Sequence, residues 1–443
     1  MKVLKFGGTS VGSPQRMKEV AALICNGERK VVVLSAMSGT TNSLVEIADY
    51  YSKGNLESAK ALINTLRTKY KKHVDELYDK EETKKETLAI LEEIFTRLLV
   101  IGSSKQLTAD DEKEILSKGE MMSTNMMTNY LKEKGIKVTL VSAFDYMRID
   151  ANREPDMGYL SEHITKIIDA HPETEIFITQ GFICLNADNK IDNLQRGGSD
   201  YTASLIGAAI KAEEIQIWTD IDGMHNNDPR IVENTQPVHQ LHFEEAAELA
   251  YFGAKILHPT CVQPAKFAGV PVRLLNTMDP QAEGTIINNE SEEGKIKAVA
   301  AKDNITVVKI VSSRMLLATG FLRKVFEIFE QFHTSIDVVT TSEVGLSMSI
   351  DNDAYLANIV AELKKYGMVD VEKDMCIICV VGDLRPCNKG FESAITQALK
   401  DVPVRMISYG GSNHNISFII HEADKKKALQ ALSDRIFNAP KQA

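Results

Sequence analysis

The first residues that could do chemistry stand near the start of the chain, where Lys5 is followed by Gly7, Gly8, Thr9 and Ser10. The apolar residues around the lysine predict a short buried strand that ends in a glycine loop. Glycines let a backbone lie against an anion and turn its N–H groups toward it, and the lysine adds a compact positive charge. The stretch therefore predicts a phosphate-binding loop, although a plain strand-to-helix turn explains this motif equally well when it is taken alone.

This loop differs from the two common nucleotide-binding motifs. Gly12 is followed by Ser13 and Pro14, where a Walker loop needs lysine and then a hydroxyl residue. The chain also contains no G-x-G-x-x-G dinucleotide fingerprint. Phosphate binding here would therefore be of another type, with the lysine placed before the glycines.

A second cluster, Arg196-Gly-Gly-Ser199-Asp200, leads into a helix predicted over 204–212. A guanidinium group forms paired hydrogen bonds with carboxylate or phosphate, and the N-terminus of a helix attracts anions. Asp200 by itself could be a helix cap, but capping does not explain an arginine beside two glycines. This cluster is the strongest local signal of an anion site.

Two more segments offer polar groups. The small-residue loop from Ser35 to Asn42, which includes Thr41, follows an apolar strand and leads into a helix predicted from Leu44. Open α/β sheets bind ligands at the carboxyl ends of their strands. Glu120 follows a glycine and precedes small and apolar residues, which makes it a candidate buried acid for an ammonium group. On composition alone, a capping or surface role for Glu120 is favoured.

The segment from Asp220 to Arg230 is rich in acids and amides, which suits contacts to a ribose, phosphates and magnesium. An ordinary turn is the alternative, because Asp, Asn, Gly and Pro all favour turns. Further on, Lys255 is a second lysine that follows a glycine, and His258 before Pro259 is interpreted as structural.

These side chains need a sheet to position them. Continuous apolar runs at 30–36 and 175–183 are typical of strands in a parallel sheet that is covered on both faces. Residues 56–134 have mostly helical spacing, with charged residues on a solvated face. The pattern predicts an α/β protein with an open, mostly parallel sheet and helices on both sides.

The C-terminal third of the chain repeats itself after a polar linker at 288–294. Gly320-Phe321 and Gly390-Phe391 each open a predicted helix that is followed by two strands, and the two copies lie about 70 residues apart. In the first copy the strands are predicted at Ser335–Thr341 and Gly345–Ile350. The period predicts two copies of a small βαββαβ unit.

Composition excludes several function classes. The formal net charge of -10 argues against nucleic acid or an anionic membrane as a partner. No apolar run is long enough to span a bilayer, and no secretory signal is expected. The six cysteines are scattered, and Cys376 and Cys379 fall at an odd offset on an apparent strand, so we expect free core thiols, no metal site and a cytoplasmic location.

Taken together, these clusters closely resemble the aspartate kinases of the amino-acid kinase superfamily, in particular the monofunctional, lysine-sensitive type. Seven motifs occur in family order over about 290 residues: Lys5–Val11, Ser35-Ala36 with Thr41-Asn42, Gly119-Glu120, Arg196–Tyr201, Trp218–Asp220, Asp228–Arg230 and Phe252–Pro259. The C-terminal repeats resemble the two ferredoxin-like ACT domains of that family. The resemblance implies a catalytic domain at 1–290 and a regulatory region at 296–443, with ACT domains at about 305–374 and 375–443.

The resemblance implies ATP- and Mg²⁺-dependent phosphorylation of the side-chain carboxylate of L-aspartate, the first step toward lysine, threonine and methionine. Arg196 would hold the substrate α-carboxylate and Glu120 its ammonium group. Ser35, Thr41, Ser199 and Asp200 would complete the substrate pocket, with Lys5, Asp200 and Lys255 as catalytic groups. The nucleotide would contact Lys5, Gly7, Gly8, Ser10, Thr219, Asp220, His225, Arg230 and Lys255. The family usually has tyrosine where His225 stands, which puts that contact in question.

The same resemblance implies regulation by an amino acid. The effector would contact Met315, Gly320, Phe321, Leu322, Ser335, Asp337, Thr341 and Glu343. Leu317 and Ala318 replace the polar residues usual in lysine-sensitive enzymes, so threonine or no effector are alternatives to lysine. Shared sheet edges between ACT units predict a homodimer, with a tetramer as a further possibility.

Two rival functions stay open at this point. The first is another amino-acid kinase, acting on glutamate, acetylglutamate or carbamate, against which the Arg196–Asp200 cluster and the ACT pair speak. The second is a non-catalytic regulator that binds amino acids, against which the two lysines and Arg230 speak.

Overall fold

A computed structural model describes residues 1–103, 107–194, 197–253, 257–316 and 319–438. Its strands are β1 Lys2–Phe6, β2 Lys30–Leu34, β3 Val138–Val141, β4 Ile176–Gln180, β5 Ile183–Leu185, β6 Ile191–Asn193, β7 Ile215–Thr219, β8 Gln240–His242, β9 Val272–Asn276, β10 Thr285–Asn288, β11 Ile296–Val311, β12 Val339–Thr341, β13 Gly345–Ile350, β14 Met368–Gly382, β15 Val404–Tyr409 and β16 Asn415–His421. Its helices are α1 Pro14–Ile24, α2 Thr40–Ser52, α3 Leu56–Leu77, α4 Glu81–Ile101, α5 Ala109–Glu133, α6 Met157–Ala170, α7 Gly198–Ala209, α8 Phe243–Tyr251, α9 Pro259–Ala268, α10 Phe321–Gln331, α11 Leu356–Leu363, α12 Phe391–Ala398 and α13 Lys425–Leu432.

The chain forms two compact units. The first comprises Met1–Gly223 and Ile256–Asn289, and the second comprises Met224–Lys255 and Glu290–Ala443. The chain passes from the first unit to the second at residue 290, which agrees with the predicted domain boundary. The segment 224–255, which was assigned to the catalytic domain from the sequence, belongs instead to the second unit. No helix within the described residues is long and apolar enough to cross a membrane.

The first unit is built on the expected open sheet. Its strands follow the order β3-β4-β2-β1-β7-β9-β10, and every adjacent pair is parallel except β9 with β10. The β2 run is buried at every position, as expected for a strand covered on both faces. The predicted α/β class and mostly parallel sheet are therefore confirmed.

Two helix starts differ from the sequence prediction, both for the same reason. The helix expected from Leu44 begins at Thr40, and the helix expected from Ser204 begins at Gly198. In each case a glycine in the left-handed region, Gly39 or Gly197, turns the chain directly into the helix. Small and hydroxyl residues that suggested a loop thus form the first helical turn, and Asp200 lies inside that turn instead of capping it.

The second unit contains a six-stranded sheet in the order β12-β13-β11-β14-β16-β15. The long central strands β11 and β14 are antiparallel, and each contains a residue in the left-handed region, Asn304 or Asp374. The ladder has three register shifts, and the one between Lys302 and Ile305 spans residues 303 and 304. Two hydrophobic cores form on either side of these bends, one around α10 and α11 and one around α12 and α13.

Both predicted repeats are present as a helix and two strands, with shifts at their edges. The strand expected from Ser335 begins at Val339, because the Asp337 and Val338 amides bond to Ser349 in an irregular pattern before the ladder starts. Cys376 and Cys379 lie in the buried part of β14, and all six cysteines are free. The expected core position is wrong for Cys25 and Cys387, which are exposed.

Candidate active site

The candidate active site lies at the carboxyl edge of the sheet in the first unit. Because β1, β2, β4 and β7 are parallel and in register, their last residues Phe6, Leu34, Gln180 and Thr219 lie at the same edge. The glycine loop, the serine loop at 35–39 and the turn after Thr219 therefore all open there. This is the edge at which α/β sheets bind ligands.

Lys5 forms an ion pair with Asp200 at the centre of this edge. The Lys5 Nζ atom lies 2.7 Å from Asp200 Oδ1, and Lys5 is 8% exposed. Strand β1 supplies the lysine and the first turn of α7 supplies the carboxylate. Two predicted catalytic residues that are almost 200 positions apart in sequence are thus in direct contact.

Gly7 and Gly8 bring backbone close to this ion pair. A Cβ atom on Gly7 would lie 3.4 Å from Lys5 Nζ, and a Cβ on Gly8 would lie 2.8 Å from the carbonyl oxygen of Ala36. The Gly8 carbonyl also accepts a hydrogen bond from the Ser38 amide, at 3.1 Å. The glycine loop and the serine loop are therefore packed backbone to backbone, with no room for a side chain at Gly8.

A cavity of about 330 Å³ opens between these loops and α7. Among its lining residues are four of the predicted pocket and loop residues, Gly8, Ser35, Glu120 and Ser199, together with Thr41 at its exposed rim. The Ser35 hydroxyl donates to the Ser199 hydroxyl at 2.9 Å. The predicted substrate residues thus share one concave surface, whose volume suits a small polar molecule.

Glu120 is buried at the floor of this cavity. Its Oε1 atom accepts a hydrogen bond of 3.1 Å from the Ala36 amide, while its Oε2 atom has no hydrogen-bond partner among the described residues. Burial raises the pKa of Glu120 to about 7, against which the bond from Ala36 acts only in part. The surface or capping role that composition favoured is therefore wrong, because the residue lies on the buried face of α5 and is only 4% exposed.

The turn into α7 is fixed by close contacts. A Cβ on Gly181 would lie 2.4 Å from the Ser199 side chain, and a Cβ on Gly198 would lie 2.8 Å from the ring of Phe182. The Phe182 amide donates to the Thr202 hydroxyl at 3.0 Å. These contacts place Ser199 and Asp200 against the end of β4 without a side-chain cap.

Two residues with predicted roles, Arg196 and Lys255, lie outside the described residues, so their roles stay predictions. Of the remaining nucleotide residues in the first unit, Ser10 is buried and bonds to the Thr277 hydroxyl at 2.7 Å. The Thr219 hydroxyl accepts from the Ile221 amide at 3.2 Å, and Asp220 is exposed. Ser10 and Thr219 thus support their loops, and their contacts to nucleotide are untested.

His225 and Arg230 lie in the second unit. The His225 Nδ1 atom is 2.9 Å from the Thr235 hydroxyl. Arg230 is held in a two-point ion pair with Asp228, with Nε–Oδ1 and Nη2–Oδ2 distances of 2.9 and 2.7 Å. The arginine fork is therefore turned toward its own loop, where its side chain is largely exposed.

The predicted effector residues are distributed around the N-terminus of α10 and the strand that precedes β13. Gly320 is the left-handed residue before α10, and the first helical residues are the buried Phe321 and the exposed Leu322. Met315 is partly buried, and Thr341 is the exposed last residue of β12. Ser335 and Glu343 are exposed. Asp337 is the buried charge of this group, with a side chain that is 1% exposed.

The cavity is also lined by Ala36, Met37, Ser38 and Gly39 of the predicted small-residue loop, and by Phe182, which sequence reasoning missed. The Ala36 amide gives no signal in a sequence, because any residue supplies an N–H. Phe182 gives no such signal either: the apolar run at 175–183 indicated one strand, but β4 ends at Gln180 and Phe182, with φ of 69°, turns the chain there.

Comparison with known proteins agrees with this geometry. Residues 1–276 match the amino acid kinase family and residues 378–436 match the ACT domain. Aspartokinase 1, chloroplastic, of Arabidopsis thaliana is 36% identical over 457 residues, which cover 99% of this chain and 80% of that protein. The chain belongs to the aspartokinases. Members of this family are aspartate kinases, so the enzyme transfers a phosphoryl group from ATP to aspartate.

Two solved aspartokinase structures extend the similarity over the whole chain. Escherichia coli aspartokinase III in complex with aspartate and ADP (R-state) matches with a TM-score of 0.84 and 31% identity, over 99% of this chain and 100% of that chain. The same enzyme in complex with lysine and aspartate (T-state) matches with a TM-score of 0.81 and 32% identity, over 99% of both chains. The family, fold class and activity implied by the seven motifs are confirmed, and the rival amino-acid kinases and the non-catalytic regulator are set aside.

Proposed function

We propose that aspartate binds in the cavity at the carboxyl edge of the sheet, with its ammonium group on Glu120 and its side-chain carboxylate facing Lys5. The observation that carries this proposal is the Glu120 Oε2 atom, a buried acceptor on the cavity floor that has no partner among the described residues. Leaving such an oxygen unpaired costs about 1–3 kcal/mol, which a bound ammonium group would recover. Ser35, Thr41 and Ser199 supply hydroxyls around it, and Arg196 would take the α-carboxylate on sequence grounds.

Lys5 and Asp200 are the proposed catalytic pair. The β-carboxylate of aspartate is ionised at pH 7, so its attack on phosphorus needs no general base. What the transfer needs is alignment and neutralisation of charge on the migrating phosphoryl group. Lys5 supplies the positive charge, Asp200 fixes its position, and Gly7 and Gly8 allow phosphate to approach the backbone. Lys255, as the second catalytic group, and Ser10, Thr219, Asp220, His225 and Arg230 are nucleotide contacts on sequence grounds alone.

Mg²⁺ would enter with the nucleotide. The ion keeps several waters and is commonly held by substrate phosphates with one or two carboxylates. No group of three or more His, Cys, Asp or Glu side chains able to hold a metal occurs in the part of the chain that the structure describes. The ion would be held by the nucleotide phosphates together with a carboxylate of the loop after β7, such as Asp220, and would supply charge neutralisation.

Hydroxylamine trapping of the acyl phosphate tests this function. We expect an aspartyl hydroxamate with aspartate and ATP, and none with glutamate or carbamate as acceptor. Lys5→Ala should lower kcat at least about a hundredfold with the fold intact, because one lost charge-stabilising donor typically has that effect. Lys2→Ala is the matched control, since Lys2 is in the same strand and pairs with Glu28 at 3.5 Å. Near-normal turnover of Lys5→Ala would remove Lys5 from the mechanism.

The second unit is the proposed sensor. The first repeat would be an ACT domain like the second, because each has the same helix and strand pair on one shared sheet. An amino acid would place its ammonium group on Asp337, whose Oδ2 atom is buried and has no hydrogen-bond partner among the described residues. Its carboxylate would meet the N-terminus of α10 after Gly320, where helix N–H groups favour an anion.

Calorimetric titration with lysine and with threonine tests the sensor. Lysine is the first choice because a similar enzyme was solved with lysine bound. Heat with either amino acid that disappears in Asp337→Asn would support the site. Absence of heat with both in the unmodified protein would contradict it.

A homodimer through the second unit is proposed from its sheet edges. Strands β12 and β15 are the outer strands of the six-stranded sheet, and Ile407 and Tyr409 on β15 are 46% and 40% exposed. Edge strands with exposed apolar residues are ready to pair with another chain. Light scattering should give twice the chain mass, or four times for a tetramer, and a monomer would contradict the proposal.

The free thiols suit a reducing compartment such as the cytoplasm.

A further inference from the structure

The segment 224–255 belongs to two parts of the protein at once. By sequence it lies inside the amino acid kinase match at 1–276, but in the structure it clusters with the second unit. The Asn226 carbonyl accepts from the Val299 amide at 2.9 Å, and Asn227 Nδ2 donates to the Leu429 carbonyl at 3.0 Å. Kinase-family sequence is therefore bonded directly to the regulatory sheet.

At the C-terminal end of α8, this segment meets the buried Asp337. The Tyr251 hydroxyl donates to Asp337 Oδ1 at 2.6 Å, and Lys302 Nζ lies 2.9 Å from the same oxygen. The Lys302 ammonium also lies 4.5 Å from the centre of the Tyr251 ring and 2.9 Å from Asp351 Oδ2. The two carboxylates carry one more charge than the lysine neutralises, so the cluster can accept a further cation.

A backbone contact fixes the same end of the segment. Gly253, with φ of 123°, lies so close to Ala301 that a Cβ would be 2.1 Å from the Ala301 carbonyl oxygen. Ala301 is the residue before Lys302. The chain beyond α8 thus lies against β11 at the point where β11 supplies the lysine of the cluster.

We propose that Tyr251 is a positioning residue that couples the kinase-family segment, residues 224–255, to Asp337, the proposed binding group for the effector ammonium. Resting on the proposed sensor, this inference adds the route of regulation: an effector ammonium group on Asp337 would weaken the bond to Tyr251 and release the end of α8. Asp337 Oδ1 accepts from the Tyr251 hydroxyl and the Lys302 ammonium, and a second cation at the same carboxylate would draw charge away from the hydroxyl. The segment carries His225 and Arg230, the predicted nucleotide contacts, so its position should affect ATP binding before aspartate binding.

The test compares Tyr251→Phe with the unmodified enzyme. Phenylalanine keeps the ring below Lys302 and removes only the hydroxyl. We expect the KM for ATP to rise at least about threefold, while kcat and the KM for aspartate change less than twofold. A residue with a purely structural role would lower the melting temperature without separating the two KM values. Tyr355→Phe is the matched control, because that tyrosine lies in the same unit and is 50% exposed.

A double-mutant cycle with Asp337→Asn identifies the partner. If the hydroxyl acts through this carboxylate, Tyr251→Phe should add nothing to the ATP effect of Asp337→Asn. Fully additive effects, or an unchanged KM for ATP in Tyr251→Phe, would overturn the inference.

The effector arm separates this inference from the sensor proposal. The dissociation constant of the amino acid should differ at least about fivefold with and without an ATP analogue in the unmodified enzyme, and less than twofold in Tyr251→Phe. If the amino acid binds and both proteins show the same coupling, the sensor stands and the role of Tyr251 falls. If no amino acid binds, the sensor falls and the KM values alone decide whether Tyr251 positions the segment.

Discussion

Aspartate binding should depend on pH through Glu120. The carboxyl group must be ionised to hold the substrate ammonium group, but burial raises its pKa to about 7. With that pKa, about 9% of empty sites are ionised at pH 6 and about 91% at pH 8. The KM for aspartate should therefore be about tenfold higher at pH 6 than at pH 8. The kcat should change little over this range, because the bound complex contains the ionised form and the nucleophile needs no base.

Initial rates of ADP release at varied aspartate and saturating MgATP measure this dependence. Calorimetry in buffers of different ionisation enthalpy gives a second readout, since binding at pH 7 should release about half a proton from Glu120. Glu120→Gln keeps the shape of the side chain but cannot ionise, so its KM should be raised at pH 8 and independent of pH. Glu112→Gln, on the exposed face of the same helix, is the matched control. A KM for aspartate that stays flat from pH 6 to 8 in the unmodified enzyme would refute the assignment.

Three further predictions concern the site and its support. Gly8→Ala should lower kcat/KM at least about tenfold in initial-rate assays of ADP release, because its Cβ would meet the Ala36 carbonyl at 2.8 Å and the resulting backbone shift would misplace the glycine loop. Without ligand, the folded protein favours the protonated form of Glu120, because its folded-state pKa is raised to about 7. The contribution of Glu120 to the free energy of unfolding is therefore fully present below its unfolded-state pKa and is lost as pH rises through about 7. Thermal scans should show Glu120→Gln gaining stability over the unmodified protein at pH 8 and not at pH 4. Glu114 has a pKa lowered to about 2, chiefly by its hydrogen bond with Arg97, so it stabilises the fold above its unfolded-state pKa and loses this effect as pH falls through about 2. In urea titrations, Glu114→Gln should therefore lower the free energy of unfolding by about 1–2 kcal/mol at pH 7 and leave it unchanged near pH 2.

The parallel sheet could be predicted from the sequence because its strands are short, apolar and followed by small residues. Boundaries at the functional loops were less accurate. Gly39 and Gly197 turn the chain straight into helices, so the hydroxyl residues beside them, including Ser199, are helical although their composition indicates a loop. A left-handed glycine and a flexible one look the same in a sequence, so the start of each helix could not be placed from it.

The candidate site shows a similar division. The types and order of Lys5, Glu120 and Asp200 indicated the chemistry, but their environment did not follow from local sequence. Glu120 lies on a helix with many charged residues, and its burial depends on the loop after β2, which is about 80 residues away in the chain. Contacts of this kind decide which of several acids has a raised pKa, and no periodicity reports them.

The two bends in the regulatory sheet explain why a linear division of that region is incomplete. The second half of β11 and the first half of β14 flank the core around α10, whereas Val299 in the first half of β11 packs into the core around α12 with Ile378 and Val380 of β14. The core of the second repeat is therefore completed by the first half of β11, whose residues precede the first repeat in the sequence. Because Asn304 separates these two halves, a disturbance at Lys302 acts on a strand that both cores share. A ligand beside Asp337 would thus lie next to Lys302 of β11, the strand that both cores share. The preceding residue, Ala301, also contacts the kinase-family segment at Gly253.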